Sequence, residues 1–258
     1  MLSIEEYVWA YRELWRRLQA VSSVDETVTG VAEIRNYHDQ RMLDTIAQAG
    51  ILYMPAEADI FEGLPVEEMG LLSKAGKPIL PGRYCIPVTS ITGTVLGIVG
   101  WLNDEFKYLT TSGRYFSKNQ LFYGMEQIHS GTSTEAFVLE GMFDALAVRS
   151  CGLEAYATMG ITVSGAKSLW YSTMSSWVVG IPDSDKAGQK VIERNSWSVD
   201  SYFVWRGSVP YIDDSGNPQK MAIKDIDLFV TIFGQEYTAN LLKQVWRERY
   251  KSVVVLQI

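Results

Sequence analysis

The spacing of apolar positions divides this chain into stretches of different period. In residues 4–22 apolar side chains recur at helical spacing, which predicts an amphipathic helix. A second helix is predicted over residues 35–49, because that pattern stops at Gly50. The segment that follows is broken by Gly and Pro and predicts loops, with one short helix near 65–74. The first third of the chain is therefore expected to be mainly helical.

Short apolar runs replace the helical period after residue 80. The stretches RYCIPVTS, TVLGIVGW and KYLTTS predict strands, with ITG as a turn between the first two. After a polar joint at 130–134, strand-like and helix-like segments alternate. The four predicted strands are EAFVLEG, EAYATMG, WVVGIPDSD and SYFVWRG, and a turn-rich insert, IDDSGNPQ, precedes the last helix of the series, DIDLFVTIF. This alternation predicts parallel βαβ units, and hence an α/β region within a chain that is α+β overall.

These changes of pattern suggest four segments. They are a helical N-terminal region (1–78), a strand-rich region (79–130), the βαβ domain (131–234), and a C-terminal helix and strand (235–258). No uncharged apolar run approaches the ~20 residues of a membrane span, and the charged N-terminus does not resemble a secretion signal. A cytoplasmic protein without a membrane partner is expected.

Charge and metal-binding residue types narrow the possible functions. The chain carries 23 Lys and Arg against 30 Asp and Glu, a net charge of −7, so any binding of nucleic acid must be local or assisted by cations. Two cysteines, 66 positions apart, and two histidines cannot supply the ~4 closely spaced ligands of a structural zinc site. No zinc is expected.

Carboxylates follow the predicted strands of the βαβ region, at the edge where parallel sheets bind ligands. The clusters are Glu140 with Asp144, Asp183 with Asp185, and Asp225 with Asp227. A single Asp at such a junction is more simply a helix cap. Three clusters at one edge would repel one another unless a cation neutralised them. Mg²⁺ binds carboxylate oxygen, and two ions ~4 Å apart suit phosphoryl transfer, so phosphodiester formation or cleavage is predicted.

The spacing of these acids resembles that of a known family. Glu-Gly-x-x-Asp, Asp-x-Asp-x-x-Gly and Lys-Asp-x-Asp are similar to the three motifs of the Toprim domain. Upstream, RYCIPVTSITGTVLGIVGW and FKYLTTSGRYFSKNQLFYGM resemble elements of bacterial and phage DnaG-type DNA primases, so the resemblance covers about residues 83–230. It implies a Toprim-type parallel βαβ sheet flanked by helices. A mixed strand-rich subdomain and an N-terminal helical region would precede that sheet.

The resemblance also implies roles for individual residues. Glu140, Asp183 and Asp185 would be catalytic and, with Asp225 and Asp227, would hold two Mg²⁺ or Mn²⁺ ions, supported by Asp144 and Lys224. The family's basic residues that face nucleotide and template match Arg83, Lys107 and Lys118 here. Arg114 is added because it alternates with aromatic residues in the same stretch, which suits phosphate and base contacts, although a solvated face with packed aromatic residues fits that pattern equally well. The sequence departs from the family at Trp101, where an arginine is usual, and at Ile226, where a proline is usual. The first departure removes a cation expected near the nucleotide.

The activity implied is that of a nucleotidyltransferase that makes short primers from nucleoside triphosphates on a single-stranded DNA template. A replicative helicase or a template-recognition protein would be a further partner, acting in trans. Because the family's zinc-binding and helicase-binding domains have no counterpart in this sequence, a role in the DNA replication of a phage or mobile element is expected. Two alternatives stay open: a metal-dependent Toprim nuclease, and a non-catalytic Toprim module that binds DNA or acts as a mediator.

Overall fold

The computed structural model describes residues 2–57, 59–103, 107–111, 116, 120–130, 136–171, 175, 177–212 and 217–257. The chain forms two compact units, Met1–His129 and Ser130–Ile258. The finer predicted divisions at 78 and 234 stay predictions. Among the described residues, no helix is both long enough and apolar enough to cross a membrane.

The first unit combines three helices with a small antiparallel sheet. The helices are α1 (Ile4–Val21), α2 (Val24–Arg35) and α3 (Gln40–Gln48). The strands are β1 (Leu52–Tyr53), β2 (Tyr84–Thr89), β3 (Val95–Trp101) and β4 (Tyr108–Thr110), which pair in that order, and a 3-10 helix, Met125–Ser130, follows. The predicted helix 4–22 is confirmed. Ser3 and Glu6 form a capping box at its start, and its apolar stripe is buried.

One prediction in this unit is correct only in part and another is wrong. The helix expected over 35–49 begins five residues later, at Gln40, because Asn36 takes a left-handed conformation (φ 58°) that ends α2, and Asp39 then caps α3. Helix α2 was not predicted, since its sequence, VDETVTGVAEIR, has many β-branched residues and a weak apolar period. The segment 65–74 forms turns instead of a short helix.

The second unit contains a five-stranded parallel sheet with helices between its strands. The elements in chain order are β5 (Ala136–Leu139), α4 (Met142–Ser150), β6 (Glu154–Ala157), α5 (Gly165–Ser168), β7 (Val178–Ile181), α6 (Lys186–Glu193), β8 (Ser201–Arg206), β9 (Ser208–Ile212), β10 (Pro218–Ala222), α7 (Ile226–Phe233), α8 (Gln235–Arg247) and β11 (Val253–Gln257). The sheet order is β11-β8-β7-β5-β6. Every residue of β5 and β7 is buried, as expected for central strands covered on both faces.

This parallel sheet confirms the predicted fold class, but the insert after β8 differs from the prediction. Strands β9 and β10 form an antiparallel hairpin, with Ser208 opposite Ala222 and Ile212 opposite Pro218. The Gly and Asn of IDDSGNPQ are typical of a turn, so the sequence predicted a loop there and not the two strands that flank it. The hairpin separates the end of β8 from the third acidic cluster.

Candidate active site

The register of the two central strands brings the first two acidic clusters to one edge of the sheet. Leu139 of β5 pairs with Ile181 of β7, so Glu140 and Asp183 follow the ends of neighbouring strands. Burial, together with the negative charges of Asp183 and Asp185, raises the pKa of Glu140 to about 7, while the charge of Lys224 acts in the opposite direction. Carboxylates that lie this close in a partly buried place need a proton or a cation to balance their charge at neutral pH.

The Asp183–Asp185 motif combines a helix cap with an ion pair. Asp185 Oδ1 accepts hydrogen bonds from the backbone N–H of Ala187 (2.8 Å) and of Gly188 (2.9 Å), which fixes the start of α6. Asp183 Oδ2 lies 3.8 Å from Lys224 Nζ. A helix cap and a metal site were the two predicted interpretations of this motif, and the structure shows the cap at Asp185 and an ion pair with Lys224 at Asp183.

The glycine of this motif is required by close packing. A Cβ atom at Gly188 would lie 1.9 Å from the backbone oxygen of Asp183, well inside van der Waals contact. Only the absence of a side chain lets the first turn of α6 approach the residue that ends the strand. Gly188 therefore sets the position of Asp183 relative to the helix.

Asp144 connects the turn after Glu140 to the third acidic cluster. Its Oδ2 accepts a hydrogen bond from Gly141 N (3.1 Å), and its Oδ1 accepts one from Asp227 N (3.4 Å). A Cβ atom at Gly141 would lie 2.5 Å from Asp144 Oδ2, so this contact also depends on a glycine. One carboxylate thus holds two of the acidic segments together through their backbones.

The third cluster differs from the others in its exposure. Asp225 caps α7 by accepting a hydrogen bond from Leu228 N (2.9 Å). Asp227 is 6% exposed, at the position where α7 meets Asp144. Lys224, which precedes both, accepts a hydrogen bond from Ser184 N at its carbonyl oxygen (2.6 Å), so the backbone of this cluster is joined to the Asp183–Asp185 turn.

The donor chemistry of the site suits a hard divalent cation. All five acids predicted as ligands offer only oxygen, the ligand that Mg²⁺ prefers. In the part of the chain that the structure describes, no three His, Cys, Asp or Glu side chains converge on one point at ligand distance. The electrostatic effect of Asp183 and Asp185 on the pKa of Glu140 shows that these three of the five acids lie near one another.

A cleft of about 420 Å³ extends from the two aspartates along α6. Its lining residues are Asp183, Ser184, Asp185, Lys186, Gln189, Ile192, Val204, Trp205 and Arg206. Ser184 closes one end, where its hydroxyl donates to the backbone oxygen of Trp205 (3.0 Å). Lys186, Gln189 and Arg206 were not predicted as site residues, because it is the pairing of β7 with β8 that brings α6 beside the end of β8.

The predicted nucleotide-binding residues lie in the first unit and have different environments. Arg83 is 8% exposed and packs against the backbone at Gly100, where an added Cβ would meet its Cδ atom at 3.0 Å. Lys107 is exposed, and its Nζ lies 5.8 Å from the centre of the Tyr108 ring, a cation–π contact. Arg114 and Lys118 lie outside the described residues.

Trp101, the main departure from the family pattern, is a core residue of the first unit. Its side chain is fully buried and its ring lies 5.6 Å from that of Tyr84. The guanidinium carbon of Arg35 lies 5.9 Å from the centre of the Trp101 ring. Helix α2 therefore places a cation beside the position where the family usually has an arginine. Sequence reasoning missed Arg35, since helix α2 itself was not predicted.

Comparisons with known proteins agree with this architecture. Residues 137–208 match a family profile described as Toprim-like. The structure of a DnaG primase catalytic domain bound to single-stranded DNA superposes with a TM-score of 0.70 at 19% identity, covering 93% of this chain and 81% of that chain. No curated protein sequence matches this chain significantly.

Two further structures share this fold. The RNA polymerase domain of Mycobacterium tuberculosis primase DnaG has a TM-score of 0.67 at 16% identity, over 95% of this chain and 84% of its own. The E. coli primase catalytic core has a TM-score of 0.64 at 20% identity, over 89% of this chain and 76% of its own. The fold implied by the sequence motifs, a Toprim-type sheet in a DnaG-type core, is confirmed.

Proposed function

We propose that this chain, which contains a Toprim-like segment and has the fold of DnaG primase catalytic cores, is a primase-like nucleotidyltransferase that acts on single-stranded DNA. The observation that carries this proposal is the coupling of Glu140 to Asp183 and Asp185 at the carboxyl edge of the parallel sheet. The similarity to a primase domain bound to single-stranded DNA supports the choice of template. A role in replication of a phage or mobile element remains part of the proposal.

In the proposed site, Glu140, Asp183 and Asp185 hold two Mg²⁺ or Mn²⁺ ions, together with Asp225 and Asp227. Such ions, when bound, neutralise the charge that develops on the reacting phosphate and orient the attacking hydroxyl. Burial and repulsion by Asp183 and Asp185 raise the pKa of Glu140, and shared cations would offset the repulsion. Asp144 and Lys224 keep the three acidic segments in place through their contacts with Asp227 and Asp183.

The reaction needs no covalent intermediate with the protein. The 3′-hydroxyl oxygen of one nucleotide forms a bond to the α-phosphorus of the next, the bond from that phosphorus to the bridging oxygen breaks, and pyrophosphate leaves. The hydroxyl proton passes to solvent. The contribution of this chain is to position the two nucleotides and the template. Within the first unit, exposed Lys107 and Tyr108 offer a cation and an aromatic face that suit a nucleic-acid strand.

A template-directed synthesis assay tests the proposal. The protein is incubated with single-stranded DNA, labelled nucleoside triphosphates and Mg²⁺ or Mn²⁺, and products are separated by length. Products longer than a dinucleotide are expected, and Glu140→Gln and Asp183→Asn should each lower their yield at least ~100-fold. Glu236→Gln, which removes one charge from an exposed position on α8, is the control and should retain full activity.

The same assay separates the alternatives. Degradation of the template, lost in Asp183→Asn, would replace the proposal with a metal-dependent nuclease. Binding of DNA with neither synthesis nor degradation, under both metals, would refute an enzymatic role and favour a mediator module.

A further inference from the structure

A row of cations lies along helix α6, directly after the Asp183–Asp185 motif. Lys186, Lys190 and Arg194 are four residues apart, so their side chains share one face at intervals of ~6 Å. All three are exposed, while Gly188 and Val191 form the buried face of the helix. Within the described part of the chain, none of the three forms an ion pair. Their charges are therefore available to a ligand.

This basic row, defined as Lys186, Lys190 and Arg194, begins at the cleft with Lys186 and continues along α6 beyond it. Lys186 and Gln189 of α6 line the cleft, and so does Arg206 at the end of β8. Arg206 is exposed and adds a fourth cation. Because Asp183 and Asp185 line the same cleft, its basic residues are continuous with the candidate metal site.

The local charge is opposite to that of the whole chain. Between Lys186 and Lys224 there are six Lys and Arg residues and four Asp and Glu residues, a net charge of +2, whereas the whole chain carries −7. Glu193 is the acidic residue on the exposed face of α6. A linear set of cations in an otherwise acidic protein suits a linear polyanion better than a single small anion, since each cation can contact a successive phosphate.

We propose that the basic row and Arg206 bind the phosphate backbone of a single-stranded DNA template where it passes the cleft beside Asp183 and Asp185. This surface belongs to the second unit and is separate from the basic residues predicted in the first. The inference rests on the proposed function for the chemical class of the ligand. The inference adds to the proposed function the path that the nucleic-acid strand takes across the Toprim-like unit.

Binding is measured by fluorescence anisotropy with a 5′-labelled single-stranded DNA 20-mer. EDTA is present, so that metal-bridged binding at the carboxylates does not contribute. The variant Lys186→Gln, Lys190→Gln, Arg194→Gln should bind at least ~10-fold more weakly at low salt. Three lost contacts, each worth ~0.7 in the slope of log K against log salt for a single strand, should also lower that slope by about 2.

The matched control removes the same residue types elsewhere in the same unit. Lys243→Gln, Arg247→Gln, Lys251→Gln also deletes two lysines and one arginine, all exposed, at α8 and just beyond it. This control should bind within ~3-fold of the wild type. Thermal unfolding of both variants is compared first, to show that both are folded. The double variant Lys190→Gln, Arg194→Gln leaves Lys186, next to Asp185, unchanged and should lose less DNA affinity than the triple variant.

Three outcomes would overturn the inference: no binding by the wild-type protein, equal losses in variant and control, or an unchanged salt slope in the triple variant. Each is distinguishable from failure of the proposed function, because the binding assay contains no metal and no nucleotide. Wild-type binding through the basic row without primer synthesis would support this surface and refute the polymerase activity.

Discussion

The substitution Gly188→Ala tests whether close packing at the Asp183–Asp185 motif holds the candidate metal site in place. The added Cβ would lie 1.9 Å from the backbone oxygen of Asp183, and real Cβ contacts essentially never fall under 3.0 Å. Helix α6 and the strand end must therefore separate by more than 1 Å. Because the obstacle is backbone rather than a flexible side chain, rotamer changes cannot relieve it.

The expected loss of stability follows from two opposing effects. Overpacking against a fixed atom costs about 3 kcal/mol, at the upper end of the usual range. Replacing Gly by Ala in a helix returns up to ~1 kcal/mol. The net loss is about 2 kcal/mol, which should lower the Tm by about 4–8 °C.

Gly165→Ala is the matched control, since Gly165 is also a helical glycine and an added Cβ there would meet nothing within 4 Å. It should leave the Tm unchanged or raise it slightly. Unfolding is followed by circular dichroism in EDTA, and then with Mg²⁺ added. Gly188→Ala should also reduce the stabilisation that Mg²⁺ gives, because Asp183 and Asp185 are displaced relative to each other. Equal Tm values for Gly188→Ala and wild type would refute this reasoning.

Two further predictions concern the acids themselves. Burial keeps the pKa of Glu140 near 7 in the folded protein, above its unfolded value, so its ionisation destabilises the metal-free fold as pH rises from ~4.5 through 7. Glu140→Gln should therefore raise the free energy of unfolding by about 1–2 kcal/mol at pH 8 in EDTA, after allowance for solvent screening, and change it little at pH 4.5. A gain of equal size at both pH values would contradict the raised pKa of Glu140. In Asp144→Asn one of the two backbone N–H groups, of Gly141 or Asp227, would face an amide N–H₂ instead of an acceptor. The free energy of unfolding measured with urea should therefore fall by about 1–2 kcal/mol. An unchanged urea midpoint would mean that these two contacts contribute nothing to stability.

Local pattern was sufficient to predict the parallel sheet and the edge of it that carries the first two acidic clusters. The alternation of apolar strands with helices predicts a parallel sheet, because βαβ connections leave few other arrangements. Placement of acids directly after strands then predicts that their carboxylates meet at one edge. Glu140 and Asp183 do so in the structure. These predictions succeeded because each depends on residues close together in sequence.

The tertiary structure decided what depends on neighbouring elements. The sheet order places β5 next to β7 and β7 next to β8, which couples Glu140 to Asp183 and forms the cleft beside Arg206. Burial of Arg83 and of Trp101 follows from packing within the first unit, which no local period encodes. The sequence shows Gly188 only as part of a motif. The structure shows why glycine is needed there, because any Cβ atom would clash with the backbone oxygen of Asp183. Sequence alone determined which groups are available, whereas packing determined which of them meet, because contacts between distant segments depend on the whole fold.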